Sequence, residues 1–88
     1  MPRVIVFHFT KEGRLPKLSK EELRDIRAKF LEALKGYPDV TFHGTYVNEE
    51  GMGICDWEAP SADVVREIVE KVLGAPPTDP TIVVEKVL

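Results

Sequence analysis

The chain is poor in the groups on which the chemistry of small domains usually rests: one cysteine, two histidines, one asparagine and no glutamine. A lone cysteine excludes an internal disulfide and every CxxC metal or redox motif. With 12 basic residues against 15 acidic ones the net charge is −3, which leaves no positive footprint for nucleic acid or an anionic membrane. No apolar run is long enough to span a bilayer. The start, Met1-Pro2-Arg3-Val4, lacks the apolar core of a signal peptide and runs straight into a strand-like segment broken by His8. The expectation is a soluble cytoplasmic protein. Scarce Asn and Gln beside plentiful Glu and Lys match a bias reported in heat-adapted proteins. The 88 residues make one domain, 1–88, with no room for a second core. Such a chain buries only a little over ~60% of its unfolded surface, so a second copy would help to stabilise it.

What is present is a clear alternation of elements. Arg3–Phe9 is β-branched and aromatic, hence a first strand. After a polar loop holding Gly13 and Pro16, Ser19 opens a helix with a capping box to Glu22. Its apolar stripe is Leu23, Ile26, Phe30 and Leu34, and Gly36 and Pro38 stop it. Val40–Val47 and Met52–Glu58 read as strands around the turn Asn48-Glu49-Glu50-Gly51. Ser61 caps a second helix with the stripe Val64, Val65, Ile68, Val69 and Val72, ended by Gly74. Thr81–Leu88 reads as a last strand. The order βαββαβ, with right-handed connections, predicts an α+β ferredoxin-like domain: a four-stranded antiparallel sheet, order 4-1-3-2, with both helices on one face.

A hairpin register pairing Val47 with Met52 sets Phe42 against Trp57, Gly44 against Cys55, His43 against Asp56 and Thr41 against Glu58. One face is then apolar and takes the helices, while His43, Asp56 and Glu58 lie on the open face; a one-residue slip would scatter them. The first and last strands, around Val4–Phe7 and Ile82–Val84, are apolar on both sides. Two helices cover only one side, so a homodimer packed through the open sheet face, of the dimeric α/β-barrel type, is expected.

Thr45-Tyr46-Val47, a charged turn, Ile54-Cys55 and then Glu58-Ala59-Pro60-Ser61-Ala62 resemble a family of small ferredoxin-like proteins that includes a nickel-binding, nickel-responsive member. The resemblance covers roughly Thr41 to Val72. It implies the βαββαβ fold, a dimer and a bound divalent metal such as nickel, and no established enzymatic activity. Members carry a histidine beside the tyrosine of the second strand; here that histidine is His43, one residue earlier.

The candidate groups admit plain and sharp readings. Cys55 reads first as a small hydrophobe, Trp57 as a core anchor and His8 as a strand-end residue with a solvated ring. His43 and Asp56 form either a cross-strand polar pair or ligands, since imidazole with carboxylate suits Ni, Zn or Fe. His8, or a group from a partner chain, would have to complete a metal sphere. Two functional classes stay open. One is a non-enzymatic homodimer binding a metal ion or small ligand on the face of His43, Asp56 and Glu58, beside Phe7 and Phe9. The other is a small dimeric-barrel enzyme of monooxygenase or isomerase type, using His43 with Asp56 in a pocket lined by Phe7, Phe9 and Ile54. A copper-chaperone role needs a second cysteine, and an RNA-recognition role needs positive charge.

Overall fold

In the computed structural model, which describes residues 2–88, local sequence signals set the element boundaries. Strand β1 is Arg3–His8, helix α1 Lys20–Leu34, β2 Thr41–Val47, β3 Gly53–Glu58, helix α2 Ala62–Leu73 and β4 Thr81–Val84. The Ser19 hydroxyl accepts from the Glu22 amide while the Glu22 carboxylate accepts from the Ser19 amide, so the capping box satisfies two orphan donors of α1. Ser61 caps α2 with its hydroxyl alone, accepting from the Val64 amide, and Gly74 ends that helix in the left-handed region at φ 83°. The sheet is antiparallel throughout with order β2-β3-β1-β4, the βαββαβ arrangement of the ferredoxin-like fold. The last strand stops at Val84 rather than Leu88; Val87 and Leu88 are fully open to solvent and gain nothing by pairing.

The helices cover one face. Val4 and Val6 from β1, Trp57 from β3, and Val65, Ile68 and Val69 from α2 form the core with Phe30 of α1. Phe30, Phe42 and Trp57 stack as a triangle with ring centroids 4.6–5.7 Å apart. Phe42, Cys55 and Trp57 therefore turn toward the helices, as the hairpin pattern predicts.

The expected register holds only at one end of the hairpin. Thr41 pairs with Glu58 and Phe42 with Trp57, but a bulge follows. Beyond it Gly44 faces Asp56, Thr45 faces Cys55 and Tyr46 faces Ile54. The physical reason is Gly44, whose φ of 153° is a conformation that side-chain-bearing residues avoid. His43 becomes the extra residue of the bulge. The pairings of His43 with Asp56 and Gly44 with Cys55 do not form.

Candidate functional site

The bulge decides what the open face offers. Its rows across the sheet are Tyr46–Ile54–Phe7, Gly44–Asp56–Ile5–Ile82 and Thr41–Glu58–Arg3–Val84. One salt bridge and one imidazole–carboxylate hydrogen bond sit among these apolar side chains. From the bulge His43 donates from Nε2 to Glu58 Oε1 at 2.7 Å, with both side chains about one-third exposed (34% each). Asp56 is taken by Arg3, whose Nη1 donates to Oδ2 at 2.9 Å and Oδ1 at 3.1 Å. Of the two carboxylates, Glu58 is thus the partner of His43 and Asp56 is the partner of a cation. With its proton held on Nε2 by Glu58, the His43 ring keeps a lone pair on Nδ1, the arrangement in which a carboxylate orients a ligating imidazole.

Phe7 lies on this open face, and its ring meets that of Phe9, half-exposed just past the strand, at 5.1 Å. His8 does not. It shares the helix-facing side with Val4 and Val6, so within one chain it is separated from His43 by the sheet itself. Nor is its ring a solvated strand end: it is half-buried, with Nδ1 2.9 Å from the Gly13 carbonyl and Nε2 2.9 Å from Cys55 Sγ. Among the described residues no three His, Cys, Asp or Glu side chains gather closely enough to hold a metal ion. One chain brings two donors to the open face.

A cavity of about 400 Å³ opens on the helix side, walled by Val6, Phe30, Phe42, Trp57 and Val69, with His8, Thr45 and Cys55 as its inner polar groups. His43, Asp56, Phe7, Phe9 and Ile54 take no part in its walls. This cavity is thus on the other side of the sheet from His43, around which a pocket is expected from the sequence. Sequence reasoning missed the His8–Cys55 contact, Thr45 and Asp79. The β1–β3 register, with Val6 opposite Cys55, puts His8 one same-face step beyond and would have revealed the first.

Fold and site together define a small ferredoxin-like α+β protein with an imidazole–carboxylate pair on its uncovered sheet face. Residues 5–82 match the model of the family described as nickel responsive protein SCO4226-like, and the chain belongs to that family. No curated protein and no solved structure matches it. Among the described residues no helix is long and apolar enough to cross a membrane.

Proposed function

We infer that this is a non-enzymatic, metal-responsive homodimer that binds a divalent ion such as nickel on its open sheet face. The observation that carries the reading is the 2.7 Å His43–Glu58 pair on a face whose apolar rows no helix shields. Imidazole and carboxylate suit first-row divalent ions, and the family description names nickel responsiveness. One chain supplies a half-site, with His43 as ligand and Glu58 orienting it. A second copy related by a twofold axis supplies the same pair again and covers Ile5, Phe7, Tyr46 and Ile82. Arg3 and Asp56 give the face both signs of charge, so it is complementary to itself. Asp56, held by Arg3, stands in reserve, and His8 lies too far round the sheet to join.

Calorimetric titration of Ni²⁺ and Zn²⁺ into wild type, His43→Ala and Cys55→Ser tests the site, with sedimentation at micromolar protein alongside. The expected result is binding by wild type and Cys55→Ser, none by His43→Ala, and a mass twice the 9.9 kDa chain. Equal binding by wild type and His43→Ala, or a monomer throughout, would overturn the reading. Loss in Cys55→Ser alone would move the ion to the helix side.

A further inference from the structure

The cavity on the helix side holds a chain of hydrogen bonds whose direction can be worked out atom by atom. A carbonyl oxygen only accepts, so the 2.9 Å contact to Gly13 fixes the His8 proton on Nδ1. In the neutral ring Nε2 then carries the lone pair, and the proton of its 2.9 Å contact with Cys55 belongs to the thiol. The Thr45 hydroxyl, also 2.9 Å from Sγ, is left to donate to the sulfur. A thiol thus points its proton at a basic nitrogen while a hydroxyl steadies the electron pair that remains. This is the geometry of a nucleophile with its base and an orienting group.

The rest of the fold holds that geometry in place. Buried Asp79, just ahead of β4, accepts from the Phe9 amide at 2.6 Å, the Thr10 amide at 2.9 Å and the Thr10 hydroxyl at 2.7 Å. It thereby clamps the loop whose Gly13 carbonyl orients His8. Gly13 is required there, because a Cβ would lie 2.1 Å from the Asp79 carboxylate. Trp57 also lines the cavity, with an indole N–H that is shut off from solvent and has no acceptor among the described residues.

We propose that the cavity is a binding site for small apolar α,β-unsaturated carbonyl compounds, and that Cys55 adds to them with His8 as the base. The apolar walls and a volume of about 400 Å³ fit a molecule of one ring or a short chain. In the addition the thiol proton passes to His8 Nε2 as Sγ bonds to the β-carbon. The carbon–carbon π pair moves toward the carbonyl oxygen as an enolate, which takes the proton back from Nε2. The net change is addition of S–H across the double bond, with nothing oxidised or reduced. Burial pushes the Cys55 thiol up, only partly opposed by the Thr45 hydrogen bond, so the proton must leave during attack rather than beforehand. The site is on the opposite face from His43 and does not depend on metal binding there.

Intact-mass kinetics of the full chain with N-phenylmaleimide, an apolar probe, and acrylamide, a polar one, test the proposal. The ratio of the two rates is compared with that of free cysteine. The expected ratio is about tenfold above that of free cysteine, since an apolar ring gains contact with the walls. His8→Gln should slow the maleimide reaction by about a hundredfold, the low end of what a placed base supplies. Leu18→Trp, which fills the cavity edge and leaves the dyad intact, should slow the apolar probe and spare the polar one. Cys55→Ser should form no adduct. A ratio equal to that of free cysteine, rates unmoved by both His8→Gln and Leu18→Trp, or modification only in denaturant would overturn it. If His8→Gln fails to fold, the Leu18→Trp result decides alone.

Discussion

The two faces of one sheet carry the chain's two histidines and treat them in opposite ways. On the helix side His8 belongs to a neutral series, Thr45 hydroxyl to thiol to imidazole to carbonyl, with each partner 2.9 Å from the next. On the open side His43 meets a carboxylate, and the neighbouring acid meets a guanidinium. The alternation of side chains along each strand is the same on both faces; the surroundings differ. Burial beneath the helices penalises net charge steeply, and His8, Cys55 and Thr45 satisfy one another there. The uncovered side lets ions keep much of their hydration, so pairs survive there that would be costly in the core. A chain with few chemical groups thus carries two polar clusters of different character, back to back.

The largest expected effect measures how much of the fold rests on each side. Trp57, almost wholly buried between Phe30 and Phe42, anchors the helix side, and truncation to alanine should cost about 3–5 kcal/mol. A small domain has roughly 5–15 kcal/mol in total, so Trp57→Ala should leave little or no cooperative unfolding transition in urea. Tyr46 on the open side is 58% exposed, and Tyr46→Ala in the isolated chain should cost less than about 1 kcal/mol. Comparable losses in the two variants would mean that the faces are not energetically distinct.

Much of this contrast was legible in the sequence, and the parts that were not share a cause. Ser19 with Glu22, Ser61 and Gly74 announce both helices through contacts within one turn, and the Val64–Val72 stripe names the face that is buried. The strand order follows from connection rules, and the membership of the open face survives on β1 and β3, where Asp56, Glu58, Phe7 and Ile54 all lie, but not on β2, where Gly44 moves to the open face and Thr45 takes the place opposite Cys55. What pattern could not deliver was the partner of each group. A bulge at His43 and Gly44 leaves the apolar pattern near Trp57 intact while shifting every pairing after it, so Glu58 replaced Asp56 beside the histidine. The His8–Cys55 contact and the Asp79 clamp join residues 47 and about 70 positions apart. Periodicity carries no information at such separations; only the assembled register does.

The Asp79 clamp gives the helix side an acid-sensitive component. The Thr10 hydroxyl first, and then the Thr10 and Phe9 amides, hold the Asp79 carboxyl below its ordinary range despite burial, which works the other way. A depressed carboxyl contributes stability that is fully present above the unfolded value of about 3.9 and is lost as pH falls through the lower folded value. Urea midpoints of wild type should therefore decline below about pH 4, where this carboxylate takes up its proton. In Asp79→Asn the midpoint should be lower at neutral pH and the acid decline shallower. Parallel curves for the two proteins would show that the loop is held by something else. The same variant sharpens the comparison of faces, since loosening Gly13 should alter Cys55 reactivity and leave Ni²⁺ binding unchanged.

The smallest effect on the fold falls on Glu58, and there the open face is most open to test. The His43–Glu58 pair is partly exposed and screened, so its contribution to stability is about 0.2–1 kcal/mol. Glu58→Gln keeps the shape of the side chain and removes its charge, and should shift the urea midpoint hardly at all. Its effect on metal should be larger by comparison. A carboxylate that fixes the tautomer of a ligating imidazole typically contributes about 10–100-fold in affinity, and Glu58 is the residue placed to do so for His43. Calorimetric titration of Ni²⁺ should accordingly show weakened binding in Glu58→Gln and near-wild-type binding in Asp56→Asn, whose carboxylate is already occupied by Arg3. The opposite ranking would make Asp56 the working acid and restore the pairing that the hairpin pattern first suggested. Equal affinity in all three proteins would leave His43–Glu58 as a surface ion pair and nothing more.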